Sequence, residues 1–299
     1  MKILITGSNG QLGNELADIL STGKGEIGAI DPAYQGAAVT SIDVAELDIT
    51  NGKAVTEYVK SENFDLIINC AAMTNVDACE TNFETALRVN ALGARNLAVA
   101  ANETASKFVH ISTDYIFGGD ADIPYAEWDT PAPATVYGKS KLLGERYVSE
   151  ACSRAFIFRT SWLYGYVGNN FVKTIIGLAQ KNEHIKVVYD QVGNPTHAND
   201  LAYHILKVAL TDVYGFYHCT GSGICSWHEF ATEIVRLTGL SCIVDPCTTD
   251  EFPRPAPRPA YSAMDNLMLR STVGDEMRDW KDALKHFMDK FYSDAANAS

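Results

Sequence analysis

The sequence predicts an α/β fold with a doubly wound parallel sheet, followed by a smaller C-terminal α/β part. A short apolar run at the start of the chain leads into glycines at every third position, Gly7, Gly10 and Gly13, and then into apolar residues at helical spacing. Apolar runs with strand character return at 65–72 and 107–114, with helical stretches between them. This alternation of strand and helix is typical of a parallel sheet that carries helices on both faces.

Composition and charge narrow the functions that the chain can have. Of its 299 residues, 46% are hydrophobic and 20% are charged, as expected of a soluble globular protein. Acidic residues outnumber basic ones by 37 to 24, and the formal net charge of −13 argues against a nucleic-acid surface. No apolar run reaches about 18 residues, so we expect no membrane span, no signal peptide and a cytoplasmic location. The seven cysteines include no C-x-x-C pair and indicate reduced thiols rather than a zinc site.

The first strand, the glycine turn and the following helix have the order of a dinucleotide-binding βαβ unit. Gly7 allows the sharp turn, Gly10 allows a pyrophosphate to approach the backbone, and Gly13 allows the helix to lie close to the strand. Free N–H groups of the first helical turn would then face the phosphates. A glycine-rich turn without a ligand is the alternative, but the position between a strand and a helix favours a bound cofactor.

Acidic residues farther along the chain are candidates to bind the adenosine half of that cofactor. Residues 26–31 read as a second strand that ends in Asp31, which we expect to bond the ribose hydroxyls. No arginine or lysine lies near it to meet a 2′-phosphate, which favours NADH. Asp48 and Ile49 are placed to contact the adenine, although a simple loop acid is the alternative for Asp48. Thr50 is predicted to cap the next helix.

Two buried strands should end beside the glycine turn. The run at 65–72 ends in Ala71 and Ala72, whose small side chains leave room for a ligand, and the run at 107–114 ends in hydroxyl groups that include Thr113. Ligands of doubly wound sheets bind beyond the carboxyl ends of the strands. All these residues are therefore expected at one edge of the sheet.

The chemistry is predicted at the start of a helix that runs from Tyr137 to about Glu150. Tyr137 and Lys141 are four residues apart and so share one face of this helix. A nearby ammonium group would lower the pKa of the phenol into the range that is useful for proton transfer to a carbonyl oxygen. Thr113 can supply a further hydrogen bond to the same oxygen. An isolated Tyr-x-x-x-Lys is usually a solvated helix face, but the nucleotide turn and the Ser-Thr strand end favour a catalytic site.

Several motifs together resemble a known family. Residues 6–13, 69–72, 112–117 and 137–141 are similar to the extended short-chain dehydrogenase/reductases. Within that family, the later motifs resemble the branch of dTDP-4-dehydrorhamnose reductases, and the resemblance extends over residues 1–292. These later motifs are Phe158–Tyr164, Gly168–Phe171, Asp190–Thr196 and Arg258–Pro259.

The resemblance implies a role for each matching residue. Tyr137 would be the proton donor, Lys141 its partner and Thr113 the residue that tunes the site; threonine replaces the serine of the wider family, as it does in this branch. NADPH or NADH would be held at the glycine turn and at the ends of the next strands. The implied cofactor-binding residues are Gly7, Gly10, Gln11, Leu12, Gly13, Asp31, Asp48, Ile49, Ala71, Ala72, Met73, Thr74, Tyr137 and Lys141. The implied substrate-binding residues are Thr113, Asp114, Tyr115, Trp162, Asn170 and Arg258.

The character of the chain changes after residue 160. Trp162 follows a strand at 155–159 and offers a flat apolar surface for a deoxysugar, with an ordinary core tryptophan as the alternative. A proline-rich stretch at 252–259 contains arginines, including Arg258, that could meet a diphosphate. We expect a Rossmann domain over 1–160, with a return of about 185–215, and a mainly substrate-binding cap over 161–299. The smaller elements of that cap would include residues 215–219.

The predicted function is reduction of the C4 ketone of dTDP-4-dehydro-L-rhamnose by NADPH or NADH. Two alternatives stay open: a reductase of another nucleotide 4-ketosugar, and a non-catalytic NADP-binding regulatory subunit. Some members of the branch bind magnesium at a dimer contact near a position like that of Glu15. One glutamate is too little evidence, so no metal is predicted, while a homodimer stays open.

Overall fold

The computed structural model describes residues 1–297. Its strands are β1 (Lys2–Thr6), β2 (Ala38–Ile42), β3 (Leu66–Asn69), β4 (Lys107–Thr113), β5 (Ala155–Thr160), β6 (Leu163–Tyr164), β7 (His184–Val188), β8 (Val192–Gly193), β9 (Thr196–His197), β10 (Gly215–His218), β11 (Cys225–Ser226) and β12 (Ile243–Cys247). Its α-helices are α1 (Gln11–Thr22), α2 (Gly52–Glu62), α3 (Val76–Thr81), α4 (Phe83–Leu87), α5 (Ala94–Glu103), α6 (Val136–Ala151), α7 (Phe171–Ala179), α8 (Ala198–Ala209), α9 (Trp227–Thr238), α10 (Leu267–Thr272) and α11 (Trp280–Asn297).

Six parallel strands form the central sheet, in the order β10-β5-β4-β3-β1-β2. The strand order reverses beside β1, because β2 lies on one side of it and β3 on the other. In a doubly wound sheet, this reversal opens a crevice at the carboxyl ends of the strands. The fold class predicted from the sequence is confirmed, and the glycine turn after β1 lies at the crevice.

Helices cover both faces of this sheet. Ile3 and Ile5 of β1 pack into one core cluster together with buried residues of α1 and α8. Leu4, between them, points to the other face and packs with residues of α2 and α5. This alternation places a separate apolar core on each side of a strand whose three central residues are all apolar, as expected of a parallel sheet covered on both faces.

The second strand lies farther along the chain than the sequence indicated. Residues 26–31 form no strand in the sheet: Lys24 and Ala29 make an isolated antiparallel bridge, and Asp31 caps a short 3₁₀ turn at 32–34. The strand that pairs with β1 is β2, which is only partly buried at the edge of the sheet. Ile30 still packs against the core, which explains the misleading apolar signal.

Two helix boundaries also differ from expectation. Asn51, and not Thr50, caps α2, because its side chain accepts a hydrogen bond from the backbone N–H of Ala54 at 3.2 Å. The helical stretch expected between the strands at 65–72 and 107–114 is not one helix: it breaks at Asn82, whose backbone angles are not helical (φ −120°, ψ 50°), and it contains a π-helical turn at 88–93.

After β5 the chain leaves the sheet and later returns to it. α8 packs on α1, and β10 then pairs with β5 as the edge strand of the central sheet. The expectation that residues 215–219 belong to the cap is therefore wrong for β10. Residues 184–188, expected in the returning segment, instead pair as β7 with β12 in a separate two-stranded sheet. The boundary between a Rossmann domain and a cap stays a prediction.

The C-terminal elements have a core of their own. Buried apolar residues of α7, α9 and α11 pack there with strand residues such as Tyr164 and Ile185. Two further short pairs, β6 with β9 and β8 with β11, lie outside the central sheet, and β6 follows β5 after only two residues. Among the helices of residues 1–297, none is both long and apolar enough to cross a membrane.

Two helical glycines give opposite expectations for stability. A Cβ on Gly144 of α6 would lie 2.3 Å from the carbonyl oxygen of Asn90, whereas a Cβ on Gly177 of α7 would meet no atom within 4 Å. We expect Gly144→Ala to lower the free energy of unfolding by about 1–3 kcal/mol through overpacking. Gly177→Ala should raise it by about 0.5–1 kcal/mol, because alanine is the better helix former.

Denaturant unfolding of the two variants and the wild type measures this difference. A Gly144→Ala protein as stable as the wild type would contradict the close packing of α6 on the π-helical turn.

Candidate active site

A cavity of about 750 Å³ opens at the carboxyl ends of the central strands. Nearly all the residues predicted to bind a cofactor or substrate line it, although they come from distant parts of the chain. The predicted residues that line the cavity are Gly7, Gly10, Gln11, Leu12, Gly13, Asp48, Ile49, Ala71, Ala72, Met73, Thr74, Thr113, Asp114, Tyr115, Tyr137, Lys141, Trp162 and Asn170. Asp31 and Arg258 do not line it.

The glycine turn leaves no space for side chains at two of its three glycines. Gly7 has a left-handed backbone (φ +67°), and a Cβ there would lie 2.6 Å from the backbone nitrogen of Ala71. A Cβ on Gly13 would lie 2.5 Å from the carbonyl oxygen of Gly7. α1 therefore begins directly against the end of β1. Gly10 precedes α1 without a side chain that could cap it, and no acidic residue lies in the first turn, so the helix N-terminus is available to an anion.

The acid at the end of the second strand is Asp43. It follows β2, lines the cavity, and accepts hydrogen bonds from the backbone N–H groups of Asn9 (3.2 Å) and Val44 (2.8 Å). Asp31 is exposed, lies outside the cavity lining and caps its own turn by accepting from Ala33 at 2.8 Å, so the structure does not place it where a ribose was expected. Asp43 could not be predicted from the sequence because β2 is a half-buried edge strand with a weak apolar pattern.

Buried asparagines fix the turns on the cavity floor. Asn90, on the π-helical turn, accepts from the N–H of Met73 (2.8 Å) and donates to the carbonyl of Met73 (3.0 Å) and to Ser140 of α6 (3.0 Å). Asn69 accepts from Thr6 at 2.9 Å and thereby connects the ends of β1 and β3. Asn90 therefore positions the turn after β3 relative to α6. Periodicity gave no signal for it, because it lies on a buried helix face.

Thr113 and Tyr137 meet on the catalytic side of the cavity. Tyr137 is buried at the start of α6, where Thr135 caps the helix by accepting from Gly138 at 3.0 Å. The ring of Tyr137 packs edge-on against Tyr115, with centroids 5.5 Å apart. Burial raises the pKa of Tyr137 above its ordinary value, while a hydrogen bond with Thr113 acts in the opposite direction. The phenol therefore stays protonated at neutral pH in this arrangement.

Lys141 is also fully buried, and its environment differs from expectation. Its Nζ donates to the carbonyl oxygen of Ile111 at 2.5 Å. Burial lowers the pKa of Lys141 to about 8, and the negative charge of Glu145 works against that fall. Apart from burial, the groups that shift the pKa of Tyr137 are Thr113, Asp114 and Cys79. The expected lowering by Lys141 is therefore not seen in this arrangement of side chains.

A buried ion pair continues this face of α6. Glu145 lies one turn beyond Lys141 and binds Arg159 of β5 through two parallel hydrogen bonds of 3.0 and 2.9 Å. Both side chains are at most 4% exposed. Arg159 also donates to the carbonyl of Glu127 at 3.0 Å. The pair fixes α6 to the sheet and brings a carboxylate near the buried ammonium.

Hydroxyl and carboxyl groups at the ends of β4 and β5 also line the cavity. Thr113 donates to Asp114 at 2.9 Å, and burial raises the pKa of Asp114 to about 6, although hydrogen bonds from Ser262 and Thr113 oppose that rise. The hydroxyl groups of Ser112 and Thr160 are buried in the cavity wall without a partner among the described residues. Buried polar atoms without partners are uncommon in native proteins, so these hydroxyls indicate a polar ligand.

Trp162 lies just beyond β5 and lines the cavity, as predicted. Its backbone is left-handed (φ +46°), which for a bulky residue costs on the order of 1–3 kcal/mol and is typical of functional sites. Its ring stacks on Trp227 with centroids 3.5 Å apart and planes 7° apart. Nothing in the sequence pattern predicted this stack, because the two tryptophans are 65 residues apart.

Of the residues predicted to bind the substrate, Asn170 lines the cavity and Arg258 does not. Asn170 lines the cavity, caps α7, and donates to the side chain of Gln11 at 2.9 Å. Arg258 instead forms an ion pair with Asp77 at 2.9 Å outside the cavity lining. It connects the proline-rich loop to α3, so a contact with a diphosphate would require that pair to open.

Among the described residues, Glu26, His197 and Asp200 lie close enough together to hold a metal ion. Arg278 occupies the space between them, with Nη2 at 3.0 Å from Glu26 and 3.1 Å from His197. A guanidinium group there neutralises the carboxylates and disfavours a cation. Glu15, nearby on α1, is buried and accepts from Asn199 at 2.7 Å.

Comparisons with known proteins agree with this geometry. A family model described as the RmlD substrate binding domain matches residues 1–293. The chain is 37% identical to the dTDP-4-dehydrorhamnose reductase of Escherichia coli K12, over 99% of this chain and 100% of the relative.

Solved structures give the same result. A dTDP-4-dehydrorhamnose reductase from Clostridium acetobutylicum is 48% identical, with a TM-score of 0.92 over 98% of this chain and 100% of that chain. One from Bacillus anthracis, solved in complex with NADP, is 42% identical, with a TM-score of 0.90 over 97% of this chain and 99% of that chain. The chain therefore belongs to the RmlD substrate binding domain family, together with the dTDP-4-dehydrorhamnose reductases.

Proposed function

We propose that this protein reduces the C4 ketone of dTDP-4-dehydro-L-rhamnose to dTDP-L-rhamnose with NADPH or NADH, which yields a sugar donor for surface polysaccharide. The observation that carries the proposal is one cavity that joins an uncapped helix N-terminus at a glycine turn to Thr113, Tyr137 and Lys141. Relatives named for this reaction support the choice of substrate.

The residues present fit a dinucleotide. The backbone N–H groups at the start of α1 would meet the pyrophosphate, Asp43 the adenosine ribose, and Asp48 and Ile49 the adenine. Lys141 would bind the nicotinamide ribose. When bound, the reduced nicotinamide supplies a hydride to the ketone carbon. The Asp43 carboxylate favours NADH over a cofactor with a 2′-phosphate, whereas the relative from Bacillus anthracis carries NADP, so both cofactors belong in the assay.

Tyr137 would donate its phenolic proton to the oxygen of the ketone. Burial keeps this phenol protonated before reaction, which suits a proton donor. Thr113 would hold the same oxygen by a hydrogen bond, and the Lys141 ammonium would stabilise the phenolate that remains. Donors fixed in place before negative charge develops supply a large share of the rate.

The remaining cavity residues would hold the sugar. Trp162 offers a flat apolar face to the deoxysugar ring, and Asp114, Tyr115 and Asn170 offer polar contacts. Arg258 would join them only on release from Asp77. A cytoplasmic location, where nucleotide sugars are made, and a homodimer complete the proposal.

Two alternatives to this function are a non-catalytic regulatory subunit, which would show no turnover, and a reductase of another nucleotide 4-ketosugar, which would. The relatives carry the names of enzymes, and Thr113, Tyr137 and Lys141 are all in place, which favours an enzyme over a regulatory subunit. A reductase of another nucleotide 4-ketosugar would use the same residues. Substrate profiling with several nucleotide 4-ketosugars distinguishes these two, because the preferred sugar has the highest kcat/KM.

Removal of the Tyr137 hydroxyl tests the proposal directly. In an assay that follows oxidation of NADH or NADPH with the 4-keto sugar, Tyr137→Phe should lower kcat by about 10²–10⁴-fold, because a general acid is lost. The dissociation constant of the cofactor should stay within about twofold. Tyr147→Phe, on the same helix but outside the cavity lining, is the matched control and should keep full activity. Wild-type turnover in Tyr137→Phe would refute the proposed role.

Asp43 and Asp31 form a second matched pair. Asp43→Asn should weaken NADH binding by about tenfold, since a hydrogen bond to a charged group contributes about 1.5–3 kcal/mol and the amide replaces part of it. NADPH should be less affected. Asp31→Asn should change neither, because Asp31 lies outside the cavity. Titration of cofactor binding measures both, and equal effects of the two variants would exclude Asp43 as the ribose ligand.

The pH profile should depend on Glu145. Lys141 is charged below its pKa of about 8, so kcat/KM should fall as the pH rises through that value. Glu145→Gln removes the carboxylate that opposes the effect of burial, and should move this alkaline limb to lower pH by about one unit. Glu150→Gln, at the exposed end of the same helix, should leave the limb in place. If the alkaline limb of the pH profile does not move in a folded Glu145→Gln protein, Glu145 does not influence the pKa of Lys141.

A further inference from the structure

The stacked tryptophan pair extends from the cavity into the C-terminal core. Trp162 lines the cavity, whereas Trp227 does not. Their rings lie almost parallel, with centroids 3.5 Å apart, so one face of the Trp162 indole is covered by Trp227. A ligand in the cavity can therefore meet only the opposite face.

The position of Trp227 is fixed by its own surroundings. It is the first residue of α9, which Ser226 and Glu229 begin with a reciprocal pair of capping hydrogen bonds. Its backbone N–H donates to the carbonyl of Gln191 at 3.3 Å, and its ring packs on Phe171 with centroids 4.4 Å apart. Trp227 is thus a fixed surface against which the Trp162 ring lies.

The edge of the Trp162 indole is confined from another direction. A Cβ on Gly193 would lie 2.7 Å from Cε2 and 2.8 Å from Nε1 of this indole, and 2.9 Å from Oγ of Ser262. Only glycine leaves room for the ring at this point. Face and edge contacts therefore restrict the indole to one orientation, although its side chain is partly exposed.

We propose that Trp227 is a positioning residue for the sugar: by covering one face of Trp162 it holds the other face ready for the deoxysugar ring. This inference rests on the proposed function. An indole without that support would have to be ordered when the sugar binds, at a cost in affinity. Trp227 lies outside the cavity lining that holds Thr113, Tyr137 and Lys141. The effect should therefore appear in sugar binding and not in proton transfer.

Kinetics of Trp227 variants test the proposal. Trp227→Leu should raise KM for the nucleotide sugar by about tenfold, the equivalent of one aromatic pair. Its kcat and its dissociation constant for NADPH should stay within about twofold. Trp227→Phe keeps a flat ring and should recover most of the wild-type KM. Trp280→Phe is the control, because Trp280 packs on Phe230 in the same core and should leave KM unchanged.

Circular dichroism reports the stack independently. Two indoles in contact couple their far-ultraviolet transitions, and a skew between the transition dipoles within the stacked planes gives an exciton couplet, which should disappear equally in Trp162→Leu and Trp227→Leu. If Trp227→Leu does not fold, Gly193→Ala displaces the indole from its edge and should raise KM in the same way.

The outcomes separate the two levels of the proposal. Loss of the couplet with an unchanged KM would overturn the positioning role, and so would an equal rise of KM in Trp280→Phe. A wild-type protein that turns over no nucleotide 4-ketosugar would overturn the proposed function itself, and the positioning role with it.

Discussion

The contact between the start of α1 and the ends of β1 and β3 is the constraint on which the rest of this structure depends. Hypothetical Cβ atoms at Gly7 and Gly13 would lie 2.5–2.6 Å from backbone atoms, so any side chain there would force these elements apart. The close approach places an uncapped helix N-terminus at the point where the strand order reverses. The cavity opens at that contact, and Gly7, Gly10, Gly13 and Ala71 all line it.

A second constraint concerns the buried charges of α6. Lys141 and Glu145 are almost fully buried, and burial of an ammonium or a carboxylate is costly unless each has partners. The Ile111 carbonyl and Arg159 supply these partners. The same contacts attach the helix to β4 and β5, which carry Thr113 and Thr160. The charges that tune the site thus also fix the relative positions of the reacting groups.

Local motifs predicted most of the site because their geometry is set over a few residues. The spacing of Tyr137 and Lys141 on one helix face, and the strand ends at Ala72 and Thr113, needed only periodicity and the rule that parallel strands end at one edge. The wider family resemblance is confirmed by the comparisons.

What the sequence did not reveal depends on distant contacts. Asp43 follows an edge strand whose weak apolar pattern gave no signal, whereas the apolar residues before Asp31 pack in the core without joining the sheet. Asn90 acts through contacts with Met73 and Ser140, and the partner of Arg258 is an acid far away in the chain, Asp77. No local pattern encodes such pairs.

The chain returns late to the central sheet to form β10, and this limits which segments of the protein can be exchanged. β10 covers the edge of β5, yet it follows in the chain only after α7, the β6–β9 pair and α8. A fragment that stopped at Thr160 would expose one edge of β5, a buried and largely apolar strand, and such an edge invites aggregation. The first 160 residues therefore do not complete the central sheet by themselves, and any exchange of the intervening segment between relatives must keep β10 with that sheet.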